Sequence, residues 1–443
     1  MFQWDERALD VLRRLESRGH RAVLVGGCVR DSLLGLIPAD YDLCTDAKPE
    51  DICRVFCAHQ CLHHGQKHGT IGVVIDNAVY EITTFRTEGG YEDSRHPSWV
   101  AFVEDVKEDL ARRDFTVNAM AYNPKEGLVD PFGGQKDLQE KVLRAVGDPQ
   151  KRFREDALRI LRGARFSARF QLTPESGTLK AMTELAPLME HLARERVFEE
   201  LCKLILCADT QDLLTFSPLI AQVIPELGSC MGFAQHTPHH RYDVFTHTAH
   251  VVEAVPKELT LRWAALLHDV GKPLAFTMDE NGRGHFKGHA KVSAQMAEEI
   301  LLRLKAPTAL RQQVTELIGQ HMTPLEADKK LLRRRLGKLG QELLEQLLTL
   351  QEADMGSKGT ENPEDLRQFD VIRACLAEVL QEDACFSIRD LAINGKDLLQ
   401  AGFAPGPALG NCLGKLLELV QDETLPNEKD ALLPAAAKLL ENT

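Results

Sequence analysis

Apolar residues along this chain follow two different spacings, and the change between them predicts two kinds of structure. Over roughly the first 145 residues, short apolar runs are interleaved with stretches of helical spacing. From about residue 149 onward, apolar residues recur at helical spacing almost to the end, with few strand signals. We therefore predict an α+β fold, in which a small mixed sheet with helices is followed by an all-α remainder.

Three segments between the first strand and residue 122 have distinct patterns. The runs 69–76 and 79–85 predict two strands, joined by the turn residues Asn77-Ala78. Residues 86–98 are polar and rich in turn formers, so we expect a mobile loop close to the site described next. Residues 108–122 predict a helix.

The first candidate site lies where a short strand meets a helix. Val23 to Val25 form an apolar run, Gly26 and Gly27 follow, and Arg30 stands in the first turn of the predicted helix. Glycines at such a turn let the backbone approach a phosphate, and a helix N-terminus offers unpaired N–H groups. This stretch therefore predicts phosphate binding.

Two carboxylates follow the glycines, at Asp40 and Asp42, in a segment that we predict to be a second strand. Side chains two positions apart on a strand share a face, so this pair can hold one divalent cation such as Mg²⁺. Glu81, in the second strand of the hairpin, is a candidate third carboxylate, although a surface glutamate on an edge strand is an equally good interpretation. A phosphate turn beside a carboxylate pair is the arrangement that phosphoryl or nucleotidyl transfer requires.

A helix predicted over residues 151–170 is dense in arginine, and most of its charged residues fall on one side. They are Glu155, Asp156, Arg159, Arg162, Arg165 and Arg169. One alternative is a solvated face with salt bridges between successive turns. However, arginine is favoured where phosphates are held or bases are read. A carboxylate can accept from the amino group of cytosine or adenine while a guanidinium donates to the ring nitrogen, so Asp156 with Arg159 predicts selection of C and A.

Four motifs, in this order, resemble those of the class II tRNA nucleotidyltransferases, the family of CCA-adding enzymes and bacterial poly(A) polymerases. They are Gly26-Gly27-Cys28-Val29-Arg30-Asp31, Asp40-Tyr41-Asp42, Arg112-Arg113-Asp114-Phe115-Thr116-Val117-Asn118-Ala119 and Glu155-Asp156-Ala157-Leu158-Arg159-Ile160-Leu161-Arg162. The resemblance implies four parts: a nucleotidyltransferase head (1–145), a helical neck for base recognition and RNA binding (146–230), an HD-domain body (231–356) and a tRNA-binding tail (357–443).

The resemblance also implies an activity and roles for individual residues. The activity is template-independent addition of CCA to the 3′ end of tRNA from CTP and ATP, with release of pyrophosphate. Asp40 and Asp42 would bind Mg²⁺, and Glu81 is a further catalytic candidate. Residues implied to contact the nucleotide are Gly27, Arg30, Arg113, Asp114, Asn118, Asp156, Arg159, Arg162 and Arg165. A poly(A) polymerase or an A-adding enzyme of the same family stays open as an alternative.

A second set of residues resembles the metal site of HD-domain phosphohydrolases. Its members are His247, His268, Asp269 and Asp354. Imidazole and carboxylate ligands suit a divalent transition metal such as Ni²⁺, Mn²⁺ or Co²⁺. His285 and His289 could add a second metal. A purely structural HD body is one alternative, and a phosphohydrolase with an RNA-binding N-terminal module is another, which the intact Asp40 and Asp42 pair disfavours.

Composition restricts the partners. The chain has 443 residues and a net charge of −13, which argues against RNA binding by bulk charge. Local basic surfaces on the arginine helix and at residues 329–338 offer a route for an RNA backbone instead. The sequence contains no secretory pattern and no apolar run that predicts a membrane helix, and its eleven cysteines form no C-x-x-C pair. We expect a cytoplasmic enzyme without a membrane partner, and no pattern indicates its oligomeric state.

Overall fold

A mixed sheet of seven strands occupies the centre of the N-terminal half. The computed structural model describes residues 4–91, 97–360, 363–382 and 387–441. The chain divides into two units, Met1–Gly228 and Ser229–Thr443, called the first and second unit below. Because the sheet is followed by helices almost throughout, the predicted α+β class is confirmed. None of the described helices combines the length and apolar composition that a membrane crossing requires.

The strands of the first unit include short pairs beside the main sheet. They are β1 Ala22–Val25, β2 Leu43–Thr45, β3 Gln60–Leu62, β4 Thr70–Ile75, β5 Ala78–Thr84, β6 Arg86–Tyr91, β7 Pro97–Phe102, β8 Ala121–Asn123, β9 Gly127–Val129, β10 Val142–Leu143 and β11 Thr173–Pro174. The main sheet has the order β3-β4-β5-β2-β1-β8-β9. Strands β2 and β5 pair in parallel, so β2 lies between β5 on one side and β1 on the other.

The described helices of the first unit surround and follow this sheet. They are α1 Glu6–Glu16, α2 Gly27–Leu33, α3 Pro49–Val55, α4 Val106–Ala111, α5 Gly134–Gln139, α6 Pro149–Glu155, α7 Leu158–Phe170, α8 Ser176–Leu185, α9 Arg194–Cys207, α10 Thr210–Thr215, α11 Ser217–Val223 and α12 Pro225–Gly228. All four residues of β1 are buried, which explains its continuous apolar run.

Among its described residues, the second unit contains helices and one short hairpin, β12 Thr277–Met278 with β13 Gly284–His285. Its described helices are α13 Val244–Ala254, α14 Leu259–Leu267, α15 Lys272–Ala275, α16 His289–Arg303, α17 Thr308–Gln320, α18 Lys329–Leu339, α19 Gln341–Gly356, α20 Pro363–Gln381, α21 Gly395–Gln400, α22 Pro407–Gln421 and α23 Lys429–Glu441. Trp263 on α14 is fully buried, and a separate apolar cluster packs α21, α22 and α23 together.

The segment that contains Asp40 and Asp42 is not a strand, contrary to the prediction. β2 begins at Leu43, where the antiparallel ladder with Leu24 of β1 starts. The backbone N–H of Val25 still donates to the carbonyl of Asp42 (3.0 Å), but beyond it β1 has ended. On the β1 side the ladder therefore stops at Leu43, and both aspartates precede β2 although β5 continues beside them.

The prediction of a mobile loop over residues 86–98 is wrong where this segment is described. Strands β6 and β7 form an antiparallel pair in which Gly89 lies opposite Trp99. A Cβ atom on Gly89 would lie 2.7 Å from the Trp99 ring, so glycine is required there for close packing and not for a turn. Residues 92–96 lie outside the described part of the chain. The β4–β5 turn also differs, because Asp76 and Asn77 have positive φ and Ala78 is already in β5.

Two predicted helices are shorter than their apolar spacing suggested. α4 ends at Ala111, and Phe115 beyond it is extended and forms a bridge with Ala145. The helix over 151–170 is interrupted at Asp156, whose φ of −143° and ψ of 104° are extended. The Asp156 carboxylate accepts from the backbone N–H of Leu158 (3.0 Å) and so caps the start of α7.

Candidate functional site

Gly26 forms the turn between β1 and α2 in a way that other residues could not. Its φ is +72°, in the left-handed region. A Cβ atom there would lie 2.6 Å from Nη1 of Arg113. The glycine therefore lets the Arg113 guanidinium pack directly against the turn that follows β1.

Asp40 and Asp42 lie beside this turn and share a cleft with Arg113, whose charge acts on Asp42. Among the described residues, none donates a hydrogen bond to either carboxylate or forms an ion pair with it. Desolvation of the Asp42 carboxylate raises its pKa to about 6; the charges of Asp40 and Glu81 act in the same direction, and the charge of Arg113 opposes them. Both aspartates are exposed to the cleft. A divalent cation would lower this pKa, so two neighbouring, solvent-accessible carboxylates fit Mg²⁺.

Glu81 is on β5 and lines a different cavity from the aspartate pair. Because Leu43 and Ile82 are partners in the parallel ladder, Glu81 is the neighbour of Asp42 in register. Its side chain is exposed. Within the described residues, three ligand atoms approach within 4.8 Å of one another only in the second unit, so the three head carboxylates do not form such a group.

A cleft of about 450 Å³ brings the aspartate pair together with arginines of α7 and α9. Every residue predicted to contact the nucleotide lines this cleft, from Gly27 to Arg165. Three further arginines line it, to which the sequence motifs give no role in nucleotide binding: Arg112, Arg169 and Arg196. Arg196 lies 40 residues beyond Asp156 and outside the four sequence motifs. Its place in the cleft therefore follows only from the fold.

A chain of hydrogen bonds connects α2 to α7 across the cleft. Arg30 donates to Oδ1 of Asn118 (2.5 Å), and Nδ2 of Asn118 donates to Oδ1 of Asp114 (3.1 Å). Nε and Nη2 of Arg162 donate to Oδ2 of Asp114 at 2.8 and 2.7 Å. Arg30 is also paired with Asp31 and is buried, so it lines the cleft as a fixed and not a mobile cation.

Asp156 and Arg159 both line the cleft, but each is held by another residue. Asp156 Oδ2 accepts from Nη2 of Arg196 (3.2 Å). Nη1 of Arg159 donates to Glu155 (2.9 Å), and Nη2 donates to the backbone carbonyl of Arg112 (3.1 Å). The alternative of a purely solvated salt-bridged face therefore holds only in part, because these ion pairs are largely buried.

The four predicted metal ligands of the second unit lie close together and are buried. Nε2 of His247 is 3.0 Å from Oδ1 of Asp354, and Nε2 of His268 is 3.1 Å from Oδ2 of Asp269. His289 joins them through Oδ1 of Asp269 (3.3 Å). These contacts form two ligand groups: one contains His247, His268 and Asp354, and the other contains Asp269, His289 and His321.

The imidazoles of this centre are oriented to receive a cation. The Nδ1 atoms of His247, His268, His289 and His321 each lie 2.6 to 3.1 Å from a backbone carbonyl, so they carry the proton. The Nε2 atoms of His289 and His321 then face each other at 3.2 Å with a lone pair each. Burial and the charge of His268 lower the pKa of His321 to about 4, which keeps its ring neutral. Two opposed lone pairs fit a shared metal ion.

His285, the other half of the predicted second metal pair, is not part of this centre. It is exposed and interacts with Asp279 (2.9 Å). His321 occupies the position that was predicted for His285. His321 stands alone in the sequence after α17, outside any motif, so the sequence gives no indication of its role. A cavity of about 430 Å³ opens onto Asp269 and Asp354 and is lined by basic residues, among them Lys272 and Lys358.

The predicted basic surface at 329–338 is largely compensated by acids. Lys329 pairs with Glu378 and Glu382, and buried Arg333 pairs with Glu382 and Glu423. Most of the charge on α18 is therefore used within the second unit. These ion pairs support a structural role for this face of α18 over the role of a surface that binds the RNA backbone.

Three models of known protein families each match a separate part of the chain. Residues 22–144 match the family described as the poly A polymerase head domain. Residues 169–231 match a probable RNA and SrmB-binding site of polymerase A, and residues 285–436 match a putative tRNA nucleotidyltransferase domain 2.

Similar proteins cover nearly the whole chain. The CCA-adding enzyme of Levilactobacillus brevis is 34% identical over 97% of both chains, and that of Streptococcus gordonii is 33% identical over 96% of both. The structure of the Bacillus stearothermophilus CCA-adding enzyme in complex with CTP matches with a TM-score of 0.73 and 26% identity, covering 99% of this chain and 98% of that one. A Thermotoga maritima CCA-adding enzyme complexed with tRNA shares the fold, with a TM-score of 0.60 at 19% identity over 98% and 95%. The chain described here belongs to the family of the CCA-adding enzymes.

Proposed function

We propose that this protein adds CCA to the 3′ end of tRNA without a nucleic-acid template, using CTP and ATP. The observation that supports the proposal is the arginine-rich cleft, whose lining includes both the Asp40 and Asp42 pair and Asp156 with Arg159. Phosphate-binding, metal-binding and base-contacting side chains thus share one space that can hold one nucleoside triphosphate.

In this proposal the aspartates and the arginines of the cleft have different roles. Asp40 and Asp42 would hold Mg²⁺, which supplies Lewis-acid polarisation of the α-phosphate and acidifies the attacking hydroxyl. The 3′-oxygen of the tRNA forms a bond to the α-phosphorus, the bond from that phosphorus to the bridging oxygen breaks, and pyrophosphate leaves. Arg30, Arg162 and the other cations of the cleft stabilise the charge on the leaving group.

The decisive assay uses tRNA that lacks its 3′ end, each nucleotide separately and in mixture, and sequencing of the products. We expect addition that stops after CCA. Asp42→Asn should reduce incorporation by on the order of a thousandfold or more while CTP still binds. Asp76→Asn is the matched control, because Asp76 is exposed at a positive φ that asparagine tolerates.

The product distinguishes the alternatives within the family. Long A tails would identify a poly(A) polymerase, and a single A added only to tRNA ending in CC would identify an A-adding enzyme. Wild-type rates for Asp42→Asn would refute the assignment of the carboxylate pair.

We also propose the four-part division into head (1–145), neck (146–230), body (231–356) and tail (357–443). The boundary between the two compact units, after Gly228, lies within two residues of the proposed end of the neck and supports it. We place the enzyme in the cytoplasm, where its substrate is made. The absence of disulfides among the described cysteines is consistent with a reducing compartment.

A second activity is proposed for the histidine centre of the second unit, namely metal-dependent phosphohydrolysis of the HD type. His247, His268, Asp269 and Asp354, with His289 and His321, would hold one or two ions such as Ni²⁺, Mn²⁺ or Co²⁺. The facing Nε2 atoms of His289 and His321 favour this over a purely structural body. A bound ion would supply an activated water, and the nearby lysines would bind the phosphate.

Metal analysis and hydrolysis assays test this second activity together. The double variant His268→Ala and Asp269→Ala should lose bound metal and any hydrolysis of a 2′,3′-cyclic phosphate. His191→Ala is the matched control, because His191 is exposed and lies in the first unit, away from the centre. Equal metal content in the wild type and the double variant would refute the site, and metal binding without hydrolysis would favour a structural body.

A further inference from the structure

A second cavity in the first unit adjoins the nucleotide cleft. Its volume is about 460 Å³, and Arg196 lines both spaces. No residue predicted to contact the nucleotide lines it, and Glu81 is the single predicted catalytic residue that does. The second cavity is therefore distinct from the nucleotide cleft, and the reaction described above does not yet use it.

The topology of the sheet places this cavity on the opposite side of Asp42 from the glycine turn. β2 lies between β1, which leads into Gly26, and β5, which carries Glu81. Gly72 and Val79 line the cavity. They lie on the same face of the β4–β5 pair as Glu81. The nucleotide cleft and the second cavity thus flank the carboxylate pair from two sides.

In-line displacement at phosphorus needs this arrangement of substrates. The attacking oxygen and the leaving pyrophosphate must lie on opposite sides of the α-phosphorus. When the triphosphate lies against the glycine turn, the attacking nucleotide must approach from the β5 side. The second cavity is the space that lies there.

The side chains of the second cavity suit one nucleotide of single-stranded RNA. His64 and His68 are exposed imidazoles on which a base can stack, and Leu62 and Val79 add apolar surface. Nη1 of Arg196 is buried and has no hydrogen-bond partner among the described residues, so it can donate to a ligand. A guanidinium donor near a stacking surface matches a phosphate with its attached nucleoside.

We propose that this cavity binds the 3′-terminal nucleotide of the tRNA acceptor end and presents its 3′-hydroxyl beside Asp42. The inference rests on the proposed function, because it assigns the second substrate of that reaction. His64 and His68 act as stacking residues for the acceptor and do not contact the incoming nucleotide.

Steady-state kinetics separates the two substrates. With CTP saturating, His64→Ala and His68→Ala should each raise KM for tRNA by about tenfold, the effect of losing one stacking contact. With tRNA saturating, KM for CTP should stay within about twofold of wild type, because neither histidine lines the nucleotide cleft. His63→Ala is the matched control: His63 is exposed in the same loop, contacts Gln66 and does not line the cavity.

The outcomes are distinct. An unchanged KM for tRNA in both variants, or a rise in KM for CTP alone, overturns the inference. A further arm needs no catalysis: an acceptor hairpin carrying 4-thiouridine as its 3′-terminal nucleotide is photo-crosslinked, and the modified peptides are identified. Crosslinks within residues 62–72 or 79–88 support the inference, and crosslinks only elsewhere overturn it. A wild-type protein that adds no nucleotide but gives these crosslinks refutes the proposed function and leaves the binding site standing.

Discussion

Asp114 provides a quantitative test of how the nucleotide cleft holds its arginines. Its carboxylate accepts four hydrogen bonds: two from Arg162, one from the backbone of Phe115 and one from Asn118. Burial opposes ionisation, but the charge of Arg162 and the hydrogen bonds to the carboxylate outweigh it and lower the pKa of Asp114 to about 2, from an ordinary value of 3.8. The difference corresponds to roughly 2 kcal/mol of stabilisation at neutral pH.

Asp114→Asn keeps the shape of the side chain and removes its charge. We expect it to lower the free energy of unfolding of this region by about 2 to 3 kcal/mol, a value held down because the Arg162 side chain is 34% exposed. The double variant with Arg162→Gln should cost less than the sum of the single variants by at least about 1 kcal/mol. Because the pKa is lower in the folded state, the stabilisation is complete above pH 3.8 and disappears as the pH falls toward 2.

Hydrogen exchange followed by mass spectrometry measures this local free energy, on peptides from α7 for the Asp114 and Arg162 variants and from α1 for the control. Asp10→Asn is the control, because Asp10 pairs with Arg14 at 2.7 Å while both side chains are more than a third exposed. That variant should cost less than about 0.5 kcal/mol. If the effects of Asp114→Asn and Arg162→Gln are additive, or if the Asp10 control costs as much, the reasoning about buried pairing is refuted.

Further predictions concern base choice, the turn and the basic surface. Asp156→Asn should keep the cap of α7, because asparagine caps helices equally well, but should admit UTP or GTP in a competition assay; unchanged selectivity would refute base recognition by this residue. Gly26→Ala should raise KM for CTP at least about tenfold and lower the melting temperature, because Arg113 occupies the space of the new Cβ; wild-type kinetics would contradict this packing argument. Arg333→Ala should lower the stability of the second unit by about 1 to 3 kcal/mol and leave the salt dependence of tRNA binding unchanged; a shallower salt dependence would support the role of this face of α18 as a surface that binds the RNA backbone.

Local motifs made the head site predictable from the sequence. The glycine turn and the Asp40 and Asp42 pair lie within 17 consecutive residues, so their proximity does not depend on distant parts of the fold. The strands β4 and β5 were predictable for the same reason. The α+β class followed from the change in apolar spacing, which reflects burial on one or both faces of each element.

Features that depend on distant partners could not be predicted. His321 is a lone histidine at the end of α17, and only packing brings it to 3.2 Å from His289. The composition of residues 86–91 is that of a turn and predicts a loop, whereas pairing with β7 makes them a strand. The acids that neutralise Arg333 come from positions 49 and 90 residues away. Apolar spacing contains no information about such contacts.

The interruption at Asp156 changes what the arginine face can do. On a continuous helix, Asp156 and Arg159 would be neighbours three residues apart and would neutralise each other. In the folded chain, Asp156 is bound by Arg196 and by the start of α7, and Arg159 is bound by Glu155. The aspartate can therefore offer an acceptor, and the arginine a donor, at fixed positions in the cleft. Groups that are already held in place lose little freedom when a base binds. Under the proposed function, the ion pairs that hold Asp156 and Arg159 are therefore what would let the two residues discriminate between bases.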